Sequence, residues 1–125
     1  MNADLLNPSV LSFVGDGVYT LLVREKIATV NRRSADLHSL AVEYVKASAQ
    51  SKAFSVICGE LTEHELAVFK RGRNFHTNNT PKNATKEEYH TATGVECLFG
   101  YLHLSKNAAR ITELFDKIWE TLNLD

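Results

Sequence analysis

Proline is nearly missing from this chain of 125 residues; only Pro8 and Pro81 occur. So few proline residues argue against a long disordered tail. Cysteine is scarce as well. Cys58 and Cys97 stand far apart with no CxxC, which excludes a disulfide framework and fits reduced thiols. None of the five histidines pairs with a cysteine at zinc-ligand spacing, so a structural zinc site is not expected. No apolar run is long enough to span a membrane, and the longest, residues 10–23, contains Asp16. The opening MNADLLN lacks the basic residues that begin a signal peptide. These absences predict a soluble, cytoplasmic protein. With 44% hydrophobic and 23% charged residues, the chain is expected to form one domain with a single core.

A further absence is local. Residues 66–86 contain no aspartate or glutamate, yet carry Lys70, Arg71, Arg73, Lys82 and Lys86 together with His76. The net charge of −1 therefore hides a basic segment on an acidic body. A run of lysine and arginine is usually a solvated surface. Here Phe75, the Thr-Asn-Asn-Thr stretch and Asn83 are interleaved with it, a composition suited to phosphate contact.

Against this background one stretch stands out, LSFVGDGVYTL at residues 11–21. An aspartate between two glycines interrupts apolar sequence. Asp-Gly is a hairpin signal. The apolar residues Val10, Leu11, Val14, Val18, Leu21 and Leu22 recur at intervals of three and four, which favours a helix. Asn7-Pro8 before them reads as an N-cap followed by proline at the first helical position.

Downstream, a helix is predicted from Ser34, with Leu37, Leu40, Ala41, Tyr44 and Val45 on one face. It runs on or breaks near 47–51 and ends by Gly59 as a C-terminal cap. Thr62-x-x-Glu65 and Thr85-x-x-Glu88 are capping boxes, opening helices to about Lys70 and through Leu104. Residues 71–83, RGRNFHTNNTPKN, read as loop. Ala108, Ile111, Leu114, Phe115, Ile118, Trp119 and Leu122 form the stripe of a last helix. No segment reads as a strand, so the fold class is all-α, with five to seven helices.

Glu96 repeats the oddity of Asp16. Its neighbours one turn away, Ala92, Thr93, Phe99 and Gly100, are largely small or apolar, as on a face built for close helix packing. A carboxylate there needs a partner base, a raised pKa or a metal ion. Asp16 and Glu96 together could hold Mg²⁺, which takes oxygen ligands and keeps several waters. Such an ion could activate water against a phosphodiester. The plainer alternative is that Asp16 caps a turn and Glu96 makes a rim salt bridge.

LSFVGDGVYTLLVR (11–24), KRGRN with TPKN (70–74 and 80–83) and YHTATGVECLFGYLHL (89–104), in this order and spacing, resemble Mini-ribonuclease III. This is a branch of the ribonuclease III family that consists of a catalytic domain without a double-stranded-RNA-binding domain. The resemblance covers nearly the whole chain. It implies an all-α endonuclease domain over 1–125, a homodimer, and Mg²⁺-dependent cleavage of double-stranded RNA that leaves 5′-phosphate ends. It also implies a role in maturation of large-subunit (23S) ribosomal RNA, with a ribosomal protein as a candidate helper. Asp16 would then be the catalytic acid, and Glu96 the glutamate of the second acidic motif, both holding metal. Lys70, Arg71, Arg73, Asn74, Thr80, Lys82 and Asn83 would contact RNA.

Ser12 and Thr93 stand where ordinary ribonuclease III has two more acids, and the threonine matches the Mini-III pattern. Two carboxylates suggest one well-held ion. Cys97 and Tyr101 read as packing residues; Tyr19, beside the site, is left open. The rival reading is a non-catalytic double-stranded-RNA or ribosome-binding module of the same fold. A helical protein-interaction module would need neither the acids nor the loop.

Overall fold

A computed structural model describes residues 2–29, 31–75 and 83–122. Asn7 caps the first helix, its side chain accepting from the Val10 N–H at 3.0 Å, with Pro8 at the first position. Helix α1 (Pro8–Ile27) then runs unbroken through Gly15-Asp16-Gly17, so the segment is helical and not a hairpin. Its buried stripe is Leu11, Gly15, Tyr19, Val23 and Ile27, spaced by four throughout.

Helix α2 (Ser34–Val45) and helix α3 (Ala47–Ile57) are separated at Lys46, whose ψ of 157° is extended. A short 3₁₀ turn, Cys58–Glu60, follows. Gly59 lies in that turn without a left-handed φ, so it is not the expected glycine cap. Both capping boxes form as predicted: Thr62 with Glu65 opens helix α4 (Glu63–Arg73), and Thr85 with Glu88 opens helix α5 (Lys86–Leu104). Helix α6 (Ala108–Leu122) buries Ile111, Leu114, Phe115 and Ile118. No strand occurs among the described residues, and the fold is all-α.

One difference from the sequence expectation bears on the site. Arg71, Gly72 and Arg73, read as loop, are the last turn of α4. Gly72 is a packing residue rather than a helix breaker, since a Cβ there would lie 2.6 Å from Cys97 Sγ on α5. Cations in the last turn also suit the negative end of the helix dipole. Thr80 and Lys82 lie outside the described residues.

Helix α5 is the centre of the molecule, packed against α1, α3, α4 and α6. Ala92 to Val95 and Cys97 to Gly100 are all buried, as expected of a helix apolar on every side. Tyr19 sits edge-on between Phe99 and Phe115, with ring centroids at 5.3 and 5.4 Å. That makes it a core residue. Arg110 at the start of α6 grips Glu65 through two bonds of 2.8 and 2.9 Å and also donates to the Glu60 carbonyl. This pair, with Glu65 buried and Arg110 partly so, ties α6 to the cap of α4. No described helix is long and apolar enough to cross a membrane.

Candidate active site

The site is set by how closely α1 and α5 cross. Gly15 and Gly100 meet at the crossing. A Cβ on Gly100 would lie 2.9 Å from Gly15 N and overlap the Leu11 carbonyl; one on Gly15 would overlap the Glu96 carbonyl. The two backbones are therefore in direct contact, which only glycine permits on both sides. Asp16 follows Gly15 and Glu96 precedes Gly100 by one turn, so the crossing brings both carboxylates to the same edge.

Their side chains are within hydrogen-bonding reach of each other. Asp16 is exposed, and Glu96 is the one residue from 92 to 100 that is not fully buried. Burial, and then the neighbouring Asp16 carboxylate, push the Glu96 carboxyl up to about 8. Among the described residues the two acids are in contact with no arginine or lysine between them, an arrangement unlike a turn cap or a rim salt bridge. Glu96 appears in none of the ion pairs found among the described residues.

A third polar group reaches the pair. Gln50 on α3 hydrogen-bonds Glu96 in the sense that favours its ionised form. Its Nε2 also donates to the Val45 carbonyl at 2.9 Å. It escaped the sequence reading, although its spacing on the stripe Gln50, Ala53, Ile57 marks a polar residue at a core position. Among the described residues no three of His, Cys, Asp and Glu cluster as a metal site. The donor set is therefore two carboxylates. Both are hard oxygen ligands, and this suits Mg²⁺ with water completing its shell.

At the two positions lacking acids the hydroxyls are bonded to their own helices. Ser12 donates its hydroxyl to the Ser9 carbonyl at 3.3 Å, and Thr93 donates to the Tyr89 carbonyl at 3.0 Å. Cys97 is a packing residue, its thiol directed at the Pro8 carbonyl at 3.3 Å and pushed well up by burial. Tyr101 is partly buried, its hydroxyl 2.9 Å from His64.

Of the basic residues, Lys70, Arg71 and Arg73 project from the exposed last turn of α4, the helix that packs on α5. Arg71 spends one donor on the Leu6 carbonyl at 2.9 Å. Arg73 lies over the Phe69 ring, 5.8 Å from its centroid, and donates to Asn74. Asn83 is exposed in the turn before α5.

Comparison with known proteins bears on family and fold. The ribonuclease III domain model matches residues 9–107. Mini-ribonuclease 3 of Clostridium tetani is 40% identical over 111 residues, covering 87% of this chain and 74% of that one. The Enterococcus faecalis protein of the same name is 38% identical over 123 residues and covers 93% of each chain. The crystal structure of protein FN1578 from Fusobacterium nucleatum superposes with a TM-score of 0.85 at 25% identity, covering 94% of both chains. The chain belongs to the Mini-ribonuclease 3 branch of the ribonuclease III family.

Proposed function

We propose that Asp16 and Glu96 together hold the Mg²⁺ ion with which this chain hydrolyses double-stranded RNA. The activity itself comes with the family: the chain is an endoribonuclease that leaves 5′-phosphate ends and acts in maturation of large-subunit ribosomal RNA. The observation that carries the site assignment is the contact between the two carboxylates across the Gly15–Gly100 crossing.

When bound, Mg²⁺ supplies an activated water and shields charge developing on the scissile phosphate. Asp16, exposed on α1, presents its carboxylate to solvent and hence to incoming RNA. Glu96, partly buried behind it, must give up its proton to act as a ligand. The cationic last turn of α4 draws the phosphate backbone toward the α5 edge, through Lys70, Arg71 and Arg73, with Asn74 and Asn83 as neutral donors. Thr80 and Lys82 belong to the same assignment.

Supporting a homodimer, α1 carries a second apolar stripe, Val10, Phe13 and Leu21, which is exposed; Phe13 is 80% exposed. Gly17 lies on that stripe with open space around it. A face of this kind needs a partner, and a two-fold dimer would offer one site to each strand of a duplex. We place the protein in the cytoplasm, where ribosomal RNA precursors are found.

The test is cleavage of a long RNA duplex with Mg²⁺ or chelator, wild type beside Asp16→Asn. Metal-dependent cutting that is lost in the variant, with RNA binding retained, is expected. Undiminished cutting by Asp16→Asn would remove Asp16 from the site. Binding without cutting by either protein would favour the non-catalytic module.

A further inference from the structure

Three polar side chains are buried among the described residues: Gln50, Glu65 and Thr93. Two are accounted for. Glu65 is held by Arg110, and Thr93 is bonded to its own helix. Gln50 is different. It is 3% exposed, and its Oε1 is buried with no hydrogen-bond partner. A methionine would fill the same space without leaving a polar atom unsatisfied. Packing alone therefore does not explain an amide at this position.

The orientation of that amide is fixed by its surroundings. The Val45 carbonyl can only accept, so Nε2 must face it. An amide nitrogen carries two protons, and the second is free to meet Glu96. A hydrogen bond that favours the ionised carboxyl must come from a donor, and Nε2 is the only donor the side chain has. One nitrogen thus ties the last residue of α2 to the acid on α5, across the break at Lys46.

We propose that Gln50 is a positioning residue for the nuclease centre, holding one oxygen of Glu96 so that the other stays turned toward Asp16. This inference rests on the assignment of Asp16 and Glu96 as the metal-holding pair. The chemistry explains why an amide serves. Two carboxylates repel when both are ionised, and Glu96 has a flexible side chain that could swing away from Asp16. A lysine or arginine in place of Gln50 would hold it, but would neutralise the charge that a cation needs. A neutral donor fixed at its other proton holds the carboxylate and leaves its charge available.

The test uses the full chain and Mn²⁺ as probe, measured by electron paramagnetic resonance without RNA. Gln50→Met keeps the volume and removes both hydrogen-bonding atoms. It is expected to retain the helical circular dichroism spectrum and the RNA affinity measured in chelator. Its Mn²⁺ dissociation constant should rise about tenfold or more, the usual consequence of losing a hydrogen bond to a metal ligand. The Mg²⁺ concentration for half-maximal cleavage should rise in parallel. Wild-type Mn²⁺ affinity and Mg²⁺ dependence in a folded Gln50→Met would overturn the proposal.

A second measurement needs no variant to fold well. In ¹⁵N-labelled wild type, the side-chain amide pair of Gln50 should shift as Mg²⁺ is added and broaden with trace Mn²⁺. An amide pair unmoved at saturating Mg²⁺ would also overturn it. Asp16→Asn separates the two levels. If that variant keeps Mn²⁺ binding and cleavage, the site assignment fails. If it loses both while Gln50→Met changes neither, only the role of Gln50 fails.

Discussion

Gly15 rests directly on the backbone carbonyl of Glu96. A Cβ at Gly15 would overlap that oxygen and come within 2.9 Å of Gly100 N. These are backbone atoms, so no side chain can rotate away to make room. Gly15→Ala must therefore push α1 and α5 apart and separate Asp16 from Glu96. Overpacking of this kind costs about 1–3 kcal/mol, and a backbone clash belongs at the upper end. Thermal unfolding should show the loss, and cleavage should fall further than stability alone explains. Gly59→Ala is the control: a Cβ there meets nothing within 4 Å, and the change should be neutral or stabilising by up to about 1 kcal/mol.

The Asp16–Glu96 contact makes metal-free stability depend on pH. Burial, then Asp16, raise Glu96 from 4.5 to about 8. Between those values the native state keeps a proton that the unfolded chain has lost, so stability falls as pH rises through that window. The contribution is complete below about 4.5 and gone above about 8. Glu96→Gln should flatten the profile in chelator and be more stable than wild type at pH 8–9 by about 1–3 kcal/mol, the open Asp16 side moderating the effect. Because a cation needs Glu96 ionised, the Mg²⁺ required for half-maximal cleavage should fall as pH rises toward 8 and then level off. A wild-type stability curve in chelator that is flat from pH 5 to 8 would contradict this picture.

How much of this was legible in the sequence depends on how local the cause was. Asn7-Pro8, the two capping boxes and the run of α1 through Gly15-Asp16-Gly17 follow from neighbouring residues, and each formed as expected. The pairing of α1 with α5 was only half visible. Small residues around Asp16 and Glu96 announced close approach, but not that Gly15 would lie on the Glu96 carbonyl. Gly72 misled, because a glycine among arginines looks like a loop until Cys97 is placed beside it. Gln50 and the Glu65–Arg110 pair depend wholly on tertiary contacts, and no short-range pattern reports those.

Phe13 gives a prediction about assembly. It is 80% exposed on α1, on a stripe with Val10 and Leu21 at 40% and 58%. An aromatic so exposed contributes little to the stability of one chain, yet large aromatics anchor interfaces. Phe13→Ala should leave the melting curve of the dissociated chain nearly unchanged and weaken dimerisation by at least about 2 kcal/mol. Sedimentation velocity across a concentration series would measure this. A dimer of unaltered affinity would place the interface elsewhere.

The basic turn of α4 yields a prediction that separates its three cations. Lys70 and Arg73 are exposed, and Arg73 lies beside the Phe69 ring with its Nε donating to Asn74. Removing one cation that pairs with a phosphate should lower the slope of log affinity against log salt by about 0.7–0.9. Lys70→Ala and Arg73→Ala should therefore weaken duplex binding most at low salt, reduce that slope and lower the melting temperature only slightly, by the loss of their helix-end and ring contacts. Arg71→Ala should behave differently. Its side chain also satisfies the Leu6 carbonyl at 2.9 Å, which anchors the segment before α1. Removing it should cost about 1 kcal/mol of stability as well as RNA affinity. Fluorescence anisotropy at several salt concentrations, beside thermal melts, distinguishes the two kinds of effect. Salt slopes unchanged in all three variants would move the RNA-binding surface away from the last turn of α4.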